Sequence, residues 1–187
     1  MMEKHELRKK LLAMRKAMAL EEKVWRDKAI AERLLAWLEE NPAECIGVYW
    51  PIQGEPDLTP IYRVLDERGV RLALPVVLER DAPLVFYSWR PGGALVADAH
   101  GVLAPADRGQ PVQPHLLLLP CVGFNVYGYR LGYGGGYYDR TLGVPQPPRT
   151  VGVAYAMCEA RFESGEHDVN MEAVITEARV DQFQAGR

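Results

Sequence analysis

Between Cys45 and Val77 the chain reads as an apolar run, a proline-led stretch closed by glycine, and a second apolar run. Cys45-Ile-Gly-Val-Tyr-Trp50 has the β-branched and aromatic content of a buried strand and stops at Pro51. Thr59-Pro60 supplies an N-cap and a first-turn proline for a helix that should end at Gly69, and residues 70–77 follow at once as another strand. Strand, helix and strand in this order predict parallel neighbours joined by a right-handed crossover, and hence an α/β sheet.

The flanking segments extend that pattern. Over residues 4–18 the apolar positions Leu7, Leu11, Leu12, Met14 and Met18 follow a helical period, which predicts an amphipathic helix. A second helix is expected over about residues 20–39, with Trp25, Leu34, Leu35 and Leu38 facing the core and Asn41-Pro42 as its stop. Residues 85–89 read as an additional, antiparallel strand, whereas 91–114, rich in Gly, Pro and Asp, read as irregular with short local structure at most. A central strand at 115–119, a glycine-rich segment, a helix running toward Leu142, and strands at 150–155 and 173–176 complete the outline. At 187 residues and 48% hydrophobic composition, one domain covering 1–187 is expected.

A formal net charge of -3 leaves no global basic field for nucleic acid or an anionic membrane, so an anionic ligand must be held by local groups. Cys45, Cys121 and Cys158 are odd in number and lack a C-x-x-C pair, which argues against a disulfide framework or structural zinc and for a reducing cytoplasm. The first 16 residues contain no apolar core of a signal peptide, and no run reaches the roughly 18 apolar residues of a membrane span, so neither export nor anchoring is expected.

After the central strand, Gly128, Gly132, Gly134, Gly135 and Gly136 fall within nine residues. Glycine loses the most backbone entropy on folding, so such a cluster in an ordered segment points to positive φ angles or to backbone approaching a ligand. Successive N–H groups can then converge on phosphate oxygens. The segment is neither a Walker A loop, since no Lys-Ser or Lys-Thr follows, nor a G-x-G-x-x-G turn. Arg130 would supply the charge that a P-loop lysine provides, and Asp139 could reach a phosphate-bound magnesium ion. The alternative is a mobile surface loop.

Arg130-Leu-Gly-Tyr-Gly-Gly-Gly-Tyr-Tyr-Asp-Arg140 resembles the signature of the 5-formyltetrahydrofolate cyclo-ligase family, also called methenyltetrahydrofolate synthetases. The resemblance extends to Lys4-His-Glu-Leu-Arg8, to Tyr49-Trp-Pro-Ile-Gln-Gly-Glu55 and to His167-Asp-Val-Asn-Met-Glu-Ala-Val-Ile-Thr-Glu177. It implies a three-layer α/β sandwich with a mostly parallel sheet (NagB/RpiA/CoA transferase-like) preceded by two N-terminal helices. It also implies ATP- and magnesium-dependent cyclisation of 5-formyltetrahydrofolate to 5,10-methenyltetrahydrofolate, with small molecules as the partners and a monomer as the working unit.

Residue by residue, the resemblance implies that Arg130 is catalytic. The ATP contacts would be Lys4, Arg8, Arg130, Leu131, Gly132, Tyr133, Gly134, Gly135, Gly136, Tyr137 and Tyr138. Folate would meet Arg8, Trp50, Glu55, Tyr133, Gly134, Gly135, Gly136 and Tyr137, and magnesium would meet Asp139 and Asp168. By composition alone, Lys4 and Arg8 are equally solvated charges on an amphipathic helix, Trp50 equally plain core, and the tyrosines equally loop packing. A metal role for His167 lacks a second histidine at ligand spacing.

Four positions depart from the family pattern: Asn125 for aspartate, Cys158 for glutamine, Ala104 for the glutamate before proline, and Ser164-Gly165 for a proline. Asn125 and Cys158 motivate an alternative, a non-catalytic paralogue that binds folate or nucleotide. Fold likeness alone would also allow an enzyme of sugar phosphates or acyl-CoA, a weak functional argument.

Overall fold

The computed structural model describes residues 2–165 and 168–184. The helices are α1 (Lys4–Lys16), α2 (Leu20–Glu40), α3 (Thr59–Glu67) and α4 (Tyr137–Leu142). The strands begin with β1 (Cys45–Gly47), β2 (Arg71–Val76), β3 (Val85–Trp89), β4 (Leu95–Ala97), β5 (Leu103–Pro105) and β6 (Pro111–Val112). They continue with β7 (Leu116–Pro120), β8 (Gly123–Phe124), β9 (Arg130–Leu131), β10 (Arg149–Val153), β11 (Ala173–Ile175) and β12 (Val180–Gln182).

Eight strands form one sheet in the order β12-β11-β10-β7-β1-β2-β3-β6. β1 and β2 are parallel, with Ile46 opposite Leu72, and α3 joins them. On the other side of β1 the parallel strands are β7, β10 and β11; β12 and β3 run against them, and the edge strand β6 pairs antiparallel with β3. The chain therefore builds outward from β1 in one direction and from β7 in the other. The crevice beyond their carboxyl ends is the topological switch point, where open α/β sheets take ligands.

The continuous apolar run of β7 follows from burial on both faces. Leu116 and Leu118 pack with Ile30, Leu34 and Ile61 of α2 and α3, whereas Leu117 and Leu119 pack with Phe86, Leu142 and Val174. Burying each leucine contributes about 1.5–3 kcal/mol. Helix α1 lies apart from this core: Leu7 and Leu11 pack on Val122, Leu131 and Phe162 at the base of the glycine-rich segment.

Gly47 sits where β1 touches the second face. A Cβ there would lie 2.5 Å from Leu117 Cδ2 and 2.8 Å from Phe86 Cε1. Gly47→Ala is expected to cost about 1–3 kcal/mol through overpacking, read as a lowered denaturation midpoint. An unchanged midpoint would show that the two side chains yield freely.

Several expectations are corrected. Trp25 is 62% exposed instead of facing the core. At about 100° per residue it stands half a turn round the helix from Leu34, and the inner stripe is Ile30, Leu34, Trp37 and Leu38. Leu35 is only partly buried against that core. Thr59 is the first helical residue and Leu58 the N-cap; the Asp57 side chain accepts from Thr59 N at 2.9 Å and from its hydroxyl at 2.7 Å. β1 ends at Gly47, because after Val48 N bonds Ala73 O the chain leaves the ladder for a turn at Gln53 and Gly54, with φ 47° and 74°. The segment 91–114 does hold only short local structure, as expected: the β4–β5 hairpin and the two-residue β6. The short pairs β8–β9 and β11–β12 were not foreseen, since their pairing is set by distant partners.

Candidate active site

A cavity of about 450 Å³ opens beyond the carboxyl ends of β1, β2 and β7, reached by Tyr49, Pro75 and Pro120. The fold brings to its wall Lys4 and Arg8 from α1, Trp50 and Glu55 from the loop after β1, residues 130–139, and Asp168. Every site residue expected from the sequence thus lines one cavity, from segments more than a hundred residues apart.

The glycine-rich segment is shaped by its glycines where the backbone demands them. Gly134 and Gly136 have φ of 98° and 67°, a region disfavoured for other residues, and Gly136 is the N-cap of the short α4. Arg8 Nε donates to Gly132 O at 2.7 Å, fastening the segment to α1. Arg140 lies 5.1 Å from the Tyr137 ring centre and donates to Gly135 O. Gly134, Gly135 and Gly136 thereby border the cavity together with three basic residues, Lys4, Arg8 and Arg130.

Arg130 extends from β9 with its side chain only 9% exposed, 5.0 Å over the Tyr138 ring and 3.6 Å from Asp139 Oδ1. Lys4 Nζ stands 3.4 Å from Asp168 Oδ2. Each candidate metal-binding aspartate therefore has a basic partner. Among the described residues no cluster of three or more His, Cys, Asp or Glu side chains is arranged to hold a metal. Two carboxylates beside a phosphate-suited loop nevertheless fit magnesium, which keeps phosphate and water ligands and needs few from protein. His167 lies outside the described residues.

Aromatic and acidic side chains also line the cavity. Trp50 is half-buried and meets Trp89 edge-on, with ring centres 6.0 Å apart, so it belongs to both the core and the cavity. Glu55 is only 2% exposed; its Oε2 accepts from Ile52 N at 2.9 Å and its Oε1 from the Tyr133 hydroxyl at 2.8 Å. Burial pushes the Glu55 carboxyl above its ordinary range, against the lowering effect of those two bonds and of the Arg15 and Arg130 charges. Burial also holds the Tyr133 and Tyr138 phenols protonated.

Sequence reasoning missed two features here, one behind the cavity wall and one in it. Arg15, almost wholly buried, donates to the Tyr133 hydroxyl at 2.8 Å; its spacing from Lys4 and Arg8 on one helical face was the available signal. The β4–β5 hairpin supplies His100, whose Nε2 is 3.0 Å from the Tyr137 hydroxyl, and with Val77, Leu84 and Leu103 it forms an apolar flank. Nothing in the irregular composition of 91–114 marked His100 or Leu103.

The comparisons with known proteins fit this site. The model of the 5-formyltetrahydrofolate cyclo-ligase family matches residues 1–177. The 5-formyltetrahydrofolate cyclo-ligase of Mycoplasma pneumoniae is 31% identical over 180 residues, covering 94% of this chain and 99% of that protein. That of Escherichia coli K12 is 32% identical over 174 residues, covering 89% and 96%. Among solved structures, Aquifex aeolicus 5,10-methenyltetrahydrofolate synthetase superposes with a TM-score of 0.84 at 32% identity, covering 100% of this chain and 95% of its own. The Mycoplasma pneumoniae synthetase gives 0.76 at 28% identity, covering 94% and 99%. With the sheet order, the glycine-rich segment and near end-to-end likeness in agreement, the chain belongs to the 5-formyltetrahydrofolate cyclo-ligase family.

Proposed function

We propose that the protein cyclises 5-formyltetrahydrofolate to 5,10-methenyltetrahydrofolate, using ATP and magnesium and releasing ADP and phosphate. The carrying observation is one cavity lined together by Lys4, Arg8, Arg130, the glycine-rich segment, Trp50 and Glu55, with Tyr133 of that segment hydrogen-bonded to Glu55. In this reading the formyl oxygen attacks the γ-phosphorus of ATP and ADP leaves. The neighbouring folate nitrogen then attacks the activated formyl carbon, loses its proton, and the former formyl oxygen departs with phosphate.

Such phosphoryl transfer needs positioning and charge neutralisation more than covalent chemistry from the protein. Arg130 is assigned to the transferring phosphoryl group, and Lys4, Arg8 and the N–H groups of Gly132, Gly134, Gly135 and Gly136 to the other phosphate oxygens. Leu131, Tyr137 and Tyr138 complete the nucleotide side. Trp50 offers its ring face to the pterin, Glu55 accepts from pterin N–H donors, and Arg8, Tyr133 and Tyr137 border both ligands. Asp139 and Asp168 would hold magnesium, which supplies charge neutralisation on the phosphates. Asp139→Asn should raise the magnesium concentration needed for half-maximal rate by about tenfold or more; an unchanged metal titration would remove Asp139 from this role.

Asn125 and Cys158, the substitutions that suggested a binding-only paralogue, do not line the cavity. Asn125 Oδ1 accepts from Tyr127 N and Tyr129 N, and its Nδ2 donates to Phe162 O, so it builds the β8–β9 turn. Cys158 is wholly buried in the main core. Both observations favour an active enzyme. Its three cysteines are free and buried, which suits a reducing cytoplasm. No helix among the described residues is long and apolar enough to cross a membrane.

The deciding experiment mixes folded protein with Mg-ATP and 5-formyltetrahydrofolate and follows near-ultraviolet absorbance of the methenyl product. Growth of that band supports the reading. Its absence, with both ligands bound by calorimetry, would return the paralogue in its place.

A further inference from the structure

We propose that Arg15 is a positioning residue that orients Glu55 for folate through the Tyr133 hydroxyl; the inference rests on the folate reading above. Arg15 occupies the last turn of α1 and is only 3% exposed. A guanidinium withdrawn from water is costly unless its donors are met. Its Nη2 donates to Tyr133 Oη and to Gln53 O, each at 2.8 Å, and its Nη1 to Cys121 O at 3.2 Å. These acceptors belong to the glycine-rich segment, the loop after β1 and the loop after β7.

The hydrogen bonds close a ring. Because Arg15 can only donate, Tyr133 accepts from it and directs its own single proton to Glu55 Oε1. Glu55 Oε2 accepts from Ile52 N, one residue before the Gln53 carbonyl that receives the Arg15 guanidinium. Both oxygens of the carboxylate are thereby oriented. Gln53 adopts φ 47°, an unfavourable conformation for a side-chain-bearing residue, and in it presents that carbonyl to Arg15. The Arg15 Nε is buried without a protein partner, so the guanidinium is not placed to satisfy itself, and one of its bonds goes to a cavity side chain, Tyr133. The same helix holds Gly132 O through Arg8, so α1 aligns two successive residues of the glycine-rich segment.

The charges around Glu55 give the network a measurable signature. Facing it are Arg15 of α1, Tyr133 and Arg130 of the glycine-rich segment, Tyr49 after β1, Tyr62 of α3, Tyr138 of α4 and Cys121 after β7. Burial raises the pKa of the four tyrosines and of Cys121, so these remain neutral. Arg15 and Arg130 are the cations that oppose the burial of the Glu55 carboxylate. Without Arg15 the carboxyl would protonate at higher pH, and an acceptor for pterin N–H groups would be lost with it.

The test compares wild type, Arg15→Met, Arg15→Lys, Tyr133→Phe and the Arg15→Met/Tyr133→Phe double variant, each checked for folding by thermal melting. Carbon-13 NMR of the Glu55 carboxyl, assigned with Glu55→Gln, gives its titration midpoint in ligand-free protein, and calorimetry gives the 5-formyltetrahydrofolate Kd across pH. Arg15→Met is expected to raise the midpoint and weaken folate about tenfold at neutral pH, with the KM for ATP within about twofold. Arg15→Lys should recover part of the midpoint, keeping the charge without the planar fork, and the double variant should be less than additive. If Arg15→Met does not fold, Arg15→Lys and Tyr133→Phe decide by the same readings. An unmoved midpoint, or fully additive effects, would overturn the inference whatever the wild type binds. A wild type that binds no folate would instead overturn the reading beneath it.

Discussion

Arg130→Ala is expected to lower kcat for methenyltetrahydrofolate formation by about 10²–10³-fold while leaving folate affinity nearly unchanged. The side chain is held between the Tyr138 ring and Asp139 with little solvent contact, so its charge acts where water screens it weakly. Charge that develops on a transferring phosphoryl group is greater than in bound ATP, so its loss falls on kcat more than on KM. Stability should change little. The ion pair with Asp139 spans 3.6 Å, and Asp139 is 38% exposed, so water replaces the lost partner. Arg130→Lys should recover only part of the rate, because a point charge cannot bridge two oxygens as a guanidinium does. Steady-state kinetics with a denaturation midpoint for each variant check this; kcat within twofold of wild type would remove Arg130 from catalysis.

Glu55→Gln is expected to weaken 5-formyltetrahydrofolate by about 2–3 kcal/mol, roughly 30- to 150-fold in Kd, with ATP binding unaffected. The amide keeps the shape and can still accept from Tyr133, but it loses the charge-assisted bonds to pterin donors. pH separates these contributions. Burial raises the pKa of Glu55 in the folded protein, so its carboxylate is present well above that value and is lost as pH falls through it. Wild-type folate affinity should therefore decline on acidification at a higher pH than an ordinary glutamate would give, and Glu55→Gln should lack that step. Calorimetric titrations from neutral to mildly acidic pH read both effects; a variant with the wild-type profile would place the recognising group elsewhere.

Local pattern carried much of the architecture. The 45–77 order became β1, α3 and β2, and the leucine run became β7 because both of its faces are covered. Strand and helix ends shifted where a longer-range contact competed. β1 stopped at Gly47 as the chain turned toward the cavity, and Asp57 took over the capping expected of Thr59. Trp25 shows the limit of choosing a helix face by hydrophobicity alone. A large aromatic residue looks like core, yet the stripe of Ile30, Leu34, Trp37 and Leu38 places it in solvent.

The glycine-rich segment, its arginine and aspartate, and the strand–helix–strand order are properties of short stretches, and backbone propensity and side-chain chemistry suffice to read them. Which distant residues stand opposite that segment is not a local property. Tyr133 and Glu55 are 78 residues apart, Arg15 and Tyr133 118, and Lys4 and Asp168 164. Their meeting depends on how the sheet reverses its order between β1 and β7 and on where α1 packs. The elements and the glycine-rich loop were legible in local pattern; that Lys4, Arg8, the β4–β5 hairpin and the two aspartates line one cavity, with Arg15 bonded to Tyr133 behind it, follows only from packing of the whole core, which sets distances between segments that no local rule connects.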